Sequence, residues 1–360
     1  MNKLKVSVLG AGNGGQALSA HLAMKGVEVN LFEHPNFKKN VEEIAKKGGI
    51  ELTGKLEGFG KISLATTDIK QAIEGTSVVM IVAPSFAQRT FIEMAISYLD
   101  DSQIIMLIPG NFGSFEIKKF LKESGKNLTI VETNTLPYAC RKIEEGKVNI
   151  WGVKTHVSIA SLPAANIEKV TKILNEFFIM PITPFKNALE ISFSNPNMIV
   201  HCPTMLLNAG RIESTNGNFR FYCDGMTKSV CKIMEKMDEE RMAVGKKLNL
   251  NLISTYDWLI ETYNLKGKDL HALLSTNPAY AKHGADAPKF LNHRYLTEDV
   301  PHLLVPVVSF GNLLGVPTPI TDCIINLASV INGIDHLEKG RNLDLLGLSG
   351  MTVEEILNYI

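Results

Sequence analysis

The segment Lys5-Val6-Ser7-Val8-Leu9-Gly10-Ala11-Gly12-Asn13-Gly14-Gly15 runs from an apolar stretch directly into glycines at 10, 12 and 15. That spacing constrains the fold because each glycine answers a different steric demand. The first allows a sharp turn off a strand, the second lets the backbone approach a diphosphate, and the third lets a helix pack tightly on the sheet. A lone glycine triplet is weak evidence in a chain with 28 glycines, where a glycine-rich turn before an ordinary helix is the competing reading. The flanks decide between them. Val6, Val8 and Leu9 have the pattern of a buried strand, while Ala17, Leu18, His21 and Leu22 follow at helical spacing. The segment therefore predicts a strand, a phosphate-holding loop and a helix whose N-terminus presents N–H groups to an anion. Gly10, Gly12, Asn13, Gly14 and Gly15 are the expected contacts.

The next apolar run, Val27 to Phe32, ends in Glu33, eighteen residues beyond Gly15. A carboxylate there accepts hydrogen bonds from ribose hydroxyls and repels a 2′-phosphate, so NAD is favoured over NADP. Lys38 and Lys39 lie close enough in sequence to keep NADP open.

The rest of the first half alternates strand-like and helix-like segments, the mark of a doubly wound parallel sheet. Short strands are expected at Ile50–Leu52 and Ile62–Leu64, and longer ones at Ser77–Val82, Gln103–Ile108 and Leu128–Glu132. Helical periodicity covers Ala87 to Leu99. From about Asn195 the texture becomes helical: Met198–Ala209, Met226–Leu248, Thr255–Tyr263, Val300–Leu314, Thr321–His336 and Val353–Tyr359. A chain of 360 residues is long for one core, which suggests two domains. The expectation is an N-terminal Rossmann domain over 1–190 and an all-helical substrate domain over 191–360. In open α/β sheets ligands bind at the C-terminal ends of the strands. The turns Ala83-Pro84-Ser85, Pro109-Gly110-Asn111 and Asn134-Thr135-Leu136-Pro137 stand at such ends, which makes Pro84 a cofactor-side candidate.

Composition narrows the partners. Lys plus Arg and Asp plus Glu are equal at 37 each, so no net field attracts nucleic acid or anionic lipid. No apolar run approaches the roughly 20 residues of a spanning helix, and because the cofactor strand begins almost at once no signal peptide is expected. Five cysteines without close pairs argue for free thiols in a reducing cytoplasm. Cys223 and Cys231 match no zinc-site spacing, so no metal is expected. A homodimer is compatible with the sequence, although no apolar seam is visible in it.

Reduction with a nicotinamide needs a proton donor near the reacting atom, and histidine is the natural one. His34 belongs to the adenosine end. His201 lies in Asn195-Pro196-Asn197-Met198-Ile199-Val200-His201-Cys202-Pro203-Thr204, a mostly apolar stretch where a charged imidazole is costly without a partner. It reads either as a buried histidine bonded to a carbonyl or as a proton carrier held by a carboxylate. Asp299, in Arg294-Tyr295-Leu296-Thr297-Glu298-Asp299-Val300-Pro301-His302, is the candidate carboxylate. Standing just before Pro301, it reads equally as a helix N-cap. Arg294 offers a planar fork for a substrate carboxylate, or a surface ion pair with a nearby acid.

These segments together resemble the octopine/nopaline (opine) dehydrogenase family. The resemblance rests on the glycine loop; on Glu132-Thr133-Asn134-Thr135-Leu136-Pro137-Tyr138-Ala139-Cys140-Arg141; on His201-Cys202-Pro203 running to Leu207-Asn208-Ala209-Gly210-Arg211; and on Arg294 through Pro301 to Leu304-Val305-Pro306. The blocks extend across most of the chain. The resemblance implies reductive condensation of an α-amino acid with an α-keto acid, such as pyruvate, by NAD(P)H. It implies that His201 and Asp299 handle the proton, that Arg294 binds substrate, and that Cys140 and Arg141 lie by the amino-acid pocket. Cys140 is then a lining thiol, since no step needs a covalent intermediate. The partners implied are small molecules only. Phe219 to Thr227 and Asn277 to Leu291 are the segments expected to choose the amino acid.

Two other readings stand beside this one. A glycerol-3-phosphate or 2-hydroxy-acid type dehydrogenase has similar architecture, but some of those related folds use a lysine at the reacting carbon and none occurs from Asn187 to Gly225. A non-catalytic NAD-binding sensor requires a broken dyad, and both members are present.

Overall fold

The computed structural model describes residues 4–277 and 287–360. The chain folds as two compact units, Met1–Ser192 together with Tyr359–Ile360, and Phe193–Asn358.

In the first unit the glycine loop follows β1 (Lys5–Leu9) and opens α1 (Asn13–Met24). The next alternating elements are β2 (Glu28–Phe32), α2 (Lys39–Lys47), β3 (Gly49–Gly54), β4 (Gly58–Lys61), β5 (Leu64–Thr66) and α3 (Ile69–Ile73). They continue with β6 (Val78–Ile81), α4 (Ser85–Ala95), β7 (Ile104–Leu107), α5 (Gly113–Glu123) and β8 (Thr129–Thr133). After β9 (Tyr138–Glu144) and β10 (Lys147–Val153) come β11 (Val157–Leu162), α6 (Ile167–Asn175) and β12 (Ile182–Pro184). Eight strands form one sheet in the order β12-β11-β8-β7-β6-β1-β2-β5. All neighbours are parallel except β11 against β8.

The strand sequences explain why the sheet is covered on both faces. Val6, Val8, Met80 and Met106 belong to one buried cluster, whereas Leu9, Val79, Ile81, Ile105 and Leu107 belong to another. Successive residues therefore meet two different cores, as expected for near-continuous apolar strands in a parallel sheet.

A second sheet, ordered β4-β3-β10-β9, was not read from the sequence as a separate layer. Its inner residues Ile50, Leu52, Tyr138, Val148 and Ile150 join the cluster containing Ala17 and Leu18 of α1. The segment Ile50–Leu52 belongs to this small sheet and not to the main one. Its fourth strand carries one fully buried side chain, Tyr138, among exposed and half-buried ones, too weak an alternation to mark a strand. At Gly60 a side chain would meet the Ala20 backbone at 2.4 Å, which shows how closely β4 approaches α1.

The second unit is helical. Its principal helices are Asn197–Leu207, Lys228–Lys247, Thr255–Tyr263, Val305–Leu314 and Pro319–Asn332. Ser254 caps Thr255–Tyr263 by accepting from Asp257 N at 3.0 Å. Two boundaries differ from the periodicity. The pattern Thr321–His336 is cut at Gly333, which ends the helix in the left-handed conformation at φ 65°. The pattern Val300–Leu314 begins as one wide turn over Val300–Leu304 before regular helix starts. Inside this unit a buried ion pair, Arg241–Asp238 at 2.7 Å, also binds the carbonyls of Phe193 and Ile253 and the backbone N of Thr255. Every charge there meets a hydrogen-bonding partner, the condition for tolerating such a pair in a core. Among the described residues no helix is long and apolar enough to cross a membrane.

Candidate active site

The glycine loop shows a steric reason for Gly10 and Gly15 and a different one for Gly12. Gly10 has φ +104°, and a Cβ there would stand 2.6 Å from the Val82 carbonyl oxygen. A Cβ on Gly15 would lie only 1.7 Å from the Gly10 oxygen. Gly12 differs, because a Cβ there meets nothing within 4 Å. The clearance at Gly12 is the cradle that a diphosphate fits, at the mouth of a helix with no acidic residue in its first turn.

A cavity of about 500 Å³ opens beside this loop, lined by Gly10, Gly12, Glu33, His34, Asn36 and Pro84 among others. Glu33 is 6% exposed, and its carboxylate is held from three directions. It accepts from Ala11 N at 3.0 Å, His34 N at 2.8 Å and Asn40 Nδ2 at 2.9 Å. The acid thus braces the loop as well as facing the cavity. Lys38 is engaged elsewhere, in a 3.5 Å pair with Glu42.

Asn13 joins the loop to the small sheet. Its side-chain oxygen accepts from Lys142 N at 2.9 Å, and its carbonyl accepts from the Cys140 thiol at 3.6 Å. Burial pushes that thiol up to about 11, so it stays protonated near neutrality. The structure seats Cys140 against the start of α1. Arg141, next on the strand and opposite Asn149, is exposed. Gly14 has close company too, since a Cβ there would be 2.7 Å from Leu136.

At the ends of β6, β7 and β8 lies a buried polar cluster that sequence reasoning missed. Asn111 and Phe112 adopt positive φ of 56° and 63°, a conformation a bulky aromatic side chain rarely takes. Asn111 Nδ2 donates to Ser85 Oγ at 2.9 Å, and Phe112 N donates to Ser192 Oγ at 2.8 Å. Ser192 Oγ and Ser114 N both donate to Glu132, which is fully buried. The only sequence sign of this cluster was the break Pro109-Gly110-Asn111.

In the helical unit His201 sits on Asn197–Leu207, two residues before Pro203, and is 7% exposed. Its Nδ1 lies 2.7 Å from Asp299 Oδ2. Asp299 is 5% exposed and makes no side-chain cap, so the N-cap reading gives way to the imidazole-partner reading. An ionised carboxylate only accepts, so this contact suits an imidazole with its proton on Nδ1 and leaves Nε2 as the nitrogen facing the rest of the site. Nε2 in turn lies 2.9 Å from the Tyr222 hydroxyl, which is 3.1 Å from the Tyr295 hydroxyl. The imidazole stacks on the Tyr295 ring with centroids 3.8 Å apart. Neither tyrosine was singled out from the sequence, although Tyr222 lies in Phe219–Thr227 and Tyr295 follows Arg294.

Arg294 opens the short helix Arg294–Thr297, and its Nη2 meets Glu298 Oε2 at 2.8 Å. Glu298 is fully buried while 57% of the arginine side chain is exposed, so one edge of the fork is engaged. His293 is neutral at physiological pH, because burial and the neighbouring Arg294 push it down to about 4. Arg211 stacks over Phe219 at 4.2 Å and donates to the Asp224 carbonyl at 3.1 Å, which shapes this same segment. Of the expected specificity loop Asn277–Leu291, residues 278–286 lie outside the described residues.

Residues 184–332 match the family model of the NAD/NADP octopine/nopaline dehydrogenase alpha-helical domain. Residues 5–149 match that of the NAD-dependent glycerol-3-phosphate dehydrogenase N-terminus. The chain is 35% identical over 361 residues to an opine dehydrogenase of Arthrobacter sp. (strain 1C), covering 98% of each. It is 29% identical over 379 residues to octopine dehydrogenase of Mizuhopecten yessoensis, covering 94% of this chain and 92% of that one. In fold it resembles a solved octopine dehydrogenase with NADH and L-arginine, with a TM-score of 0.81 at 22% identity over 99% of this chain and 98% of that one. With its glycine loop, its buried His201–Asp299 pair and full-length similarity at that level, the chain belongs to the octopine/nopaline (opine) dehydrogenase family.

Proposed function

We propose that this protein reductively condenses the amino group of an α-amino acid with an α-keto acid such as pyruvate, and runs the reverse oxidation. The observation that carries the reading is the buried His201–Asp299 pair at 2.7 Å on a helical unit of this family. Net reduction consumes one proton per turnover: an ammonium, a ketone, a hydride equivalent and a proton yield a secondary ammonium and water. His201 Nε2 exchanges that proton, and Asp299 fixes the tautomer and stabilises the imidazolium. Arg294 binds a substrate carboxylate with the edge of its fork turned from Glu298. Cys140 and Arg141 are assigned to the amino-acid side. A nicotinamide dinucleotide, when bound, supplies the reducing equivalent, and Gly10, Gly12, Asn13, Gly14, Gly15, Glu33 and Pro84 would hold it.

The cofactor preference assigned is NADH. Glu33→Gln keeps the shape that braces Ala11 N and removes the charge. It is expected to improve kcat/KM for NADPH relative to NADH by roughly 10-fold or more. An unchanged ratio would show that Glu33 acts on the loop alone.

A simple keto-acid or glycerol-3-phosphate type dehydrogenase draws support from the match of residues 5–149. Initial rates of NADH consumption with pyruvate, alone and with each amino acid, separate the two. Consumption that requires both substrates supports condensation, and consumption indifferent to any amine supports simple reduction. A non-catalytic sensor would show neither. The five free cysteines fit a reducing cytoplasm. The surface that bears on a homodimer is an uncharged exposed stripe, Leu327, Val330, Ile331 and Ile334, along and just past the helix Pro319–Asn332.

A further inference from the structure

We infer that Tyr222 and Tyr295 form a hydroxyl relay through which His201 gains and loses its proton. The inference rests on the proposed function for its purpose and on geometry for its substance. Condensation needs one proton delivered to His201 in every reductive turnover, yet the imidazole and Asp299 are 7% and 5% exposed. Both tyrosines are half-buried, more accessible than the imidazole and the carboxylate they adjoin. Asp299 occupies Nδ1, which leaves Nε2, and the group on Nε2 is the Tyr222 hydroxyl at 2.9 Å. The Tyr295 hydroxyl stands 3.1 Å behind it.

The contacts of the three groups give the chain two ordered arrangements. With His201 neutral, Nε2 is an acceptor, so the Tyr222 hydroxyl donates to it and the Tyr295 hydroxyl donates to Tyr222. With His201 protonated, Nε2 donates to Tyr222, and Tyr222 donates to Tyr295. A proton arriving at Tyr295 converts the first arrangement into the second. It bonds to the Tyr295 oxygen, the proton of Tyr295 moves to the Tyr222 oxygen, and that of Tyr222 moves to Nε2. Both hydroxyls are neutral before and after, and His201 has gained one proton. Reversal releases it during oxidation. The stacking of His201 on Tyr295, at 3.8 Å between centroids, holds the two rings of the relay in register. Phe221, with its centroid 5.1 Å from that of Tyr295, supports the same ring from the apolar side.

The test uses Tyr222→Phe and Tyr295→Phe in the whole protein. Each is expected to lower kcat in the reductive direction by about 10- to 100-fold, with KM for both substrates little changed. Added imidazole buffer is expected to restore much of the Tyr222→Phe rate in proportion to its concentration, because a small acid replaces the missing hydroxyl. Histidine labelled with ¹⁵N gives a readout free of turnover: the Nε2 resonance of His201 should move in Tyr222→Phe toward that of an unbonded acceptor. An unchanged kcat, a loss that buffer does not relieve, or an unmoved Nε2 resonance would each overturn the relay. A raised amino-acid KM at constant kcat would also overturn it, making Tyr222 a substrate contact. If the wild type turns over no amine–keto acid pair, the proposed function fails while the resonance still decides the relay.

Discussion

Replacing His201 by asparagine should lower kcat in both directions by about 100- to 10,000-fold, the range removed with a general acid–base group. Dinucleotide binding, followed by NADH fluorescence, should stay near normal, because the glycine loop and Glu33 belong to the other unit. Asp299→Asn should approach the same loss. An amide donates as well as accepts, so the 2.7 Å contact no longer selects the Nδ1-protonated tautomer. The wild-type pH profile follows from the same atoms. Oxidation needs His201 neutral to accept a proton, whereas reduction needs it charged to supply one. The optimum for oxidation should therefore lie at higher pH than that for reduction. Coincident optima in the two directions would remove His201 as the proton carrier.

The second large effect is expected at Gly15. A methyl group there would sit 1.7 Å from the backbone oxygen of Gly10, with no flexible side chain available to move aside. Gly15→Ala should either prevent accumulation of folded protein or destabilise it by more than about 3 kcal/mol. A melting temperature lowered by roughly 10 °C would reflect a loss of that size. Gly12→Ala is the informative contrast. Its methyl group meets no protein atom within 4 Å, so melting should be nearly unchanged. NADH binding should nevertheless weaken by about 10-fold or more, since that space is where a diphosphate approaches the backbone. Equal melting losses in the two variants would contradict the separation of a packing glycine from a ligand-clearance glycine.

The two halves of the site differed in how far they were legible beforehand. The cofactor loop lies within fifteen consecutive residues, where protein sterics explain Gly10 and Gly15 and open space marks Gly12. The proton pair spans 98 residues, so spacing could not separate Asp299 as a cap from Asp299 as an imidazole partner. Only the fold, which leaves Asp299 without a capping bond, distinguishes them. Tyr222 was hidden for a related reason. It stands in the four-residue helix Phe221–Asp224, too short to show periodicity, and its importance comes entirely from meeting His201 and Tyr295. The small sheet escaped notice because β9 buries so little of itself. The buried Glu132–Ser192 contact joins residues 60 apart and has no local signature.

Condensation places the reduction at a carbon newly bonded to nitrogen. The most direct measurement uses NADH deuterated at the transferable position, with pyruvate and the amino acid that best supports turnover, followed by mass analysis of the product. Condensation predicts a secondary amine dicarboxylate carrying one deuterium on the carbon that was the ketone. Deuterium found in lactate, with the amino acid unchanged, would contradict it.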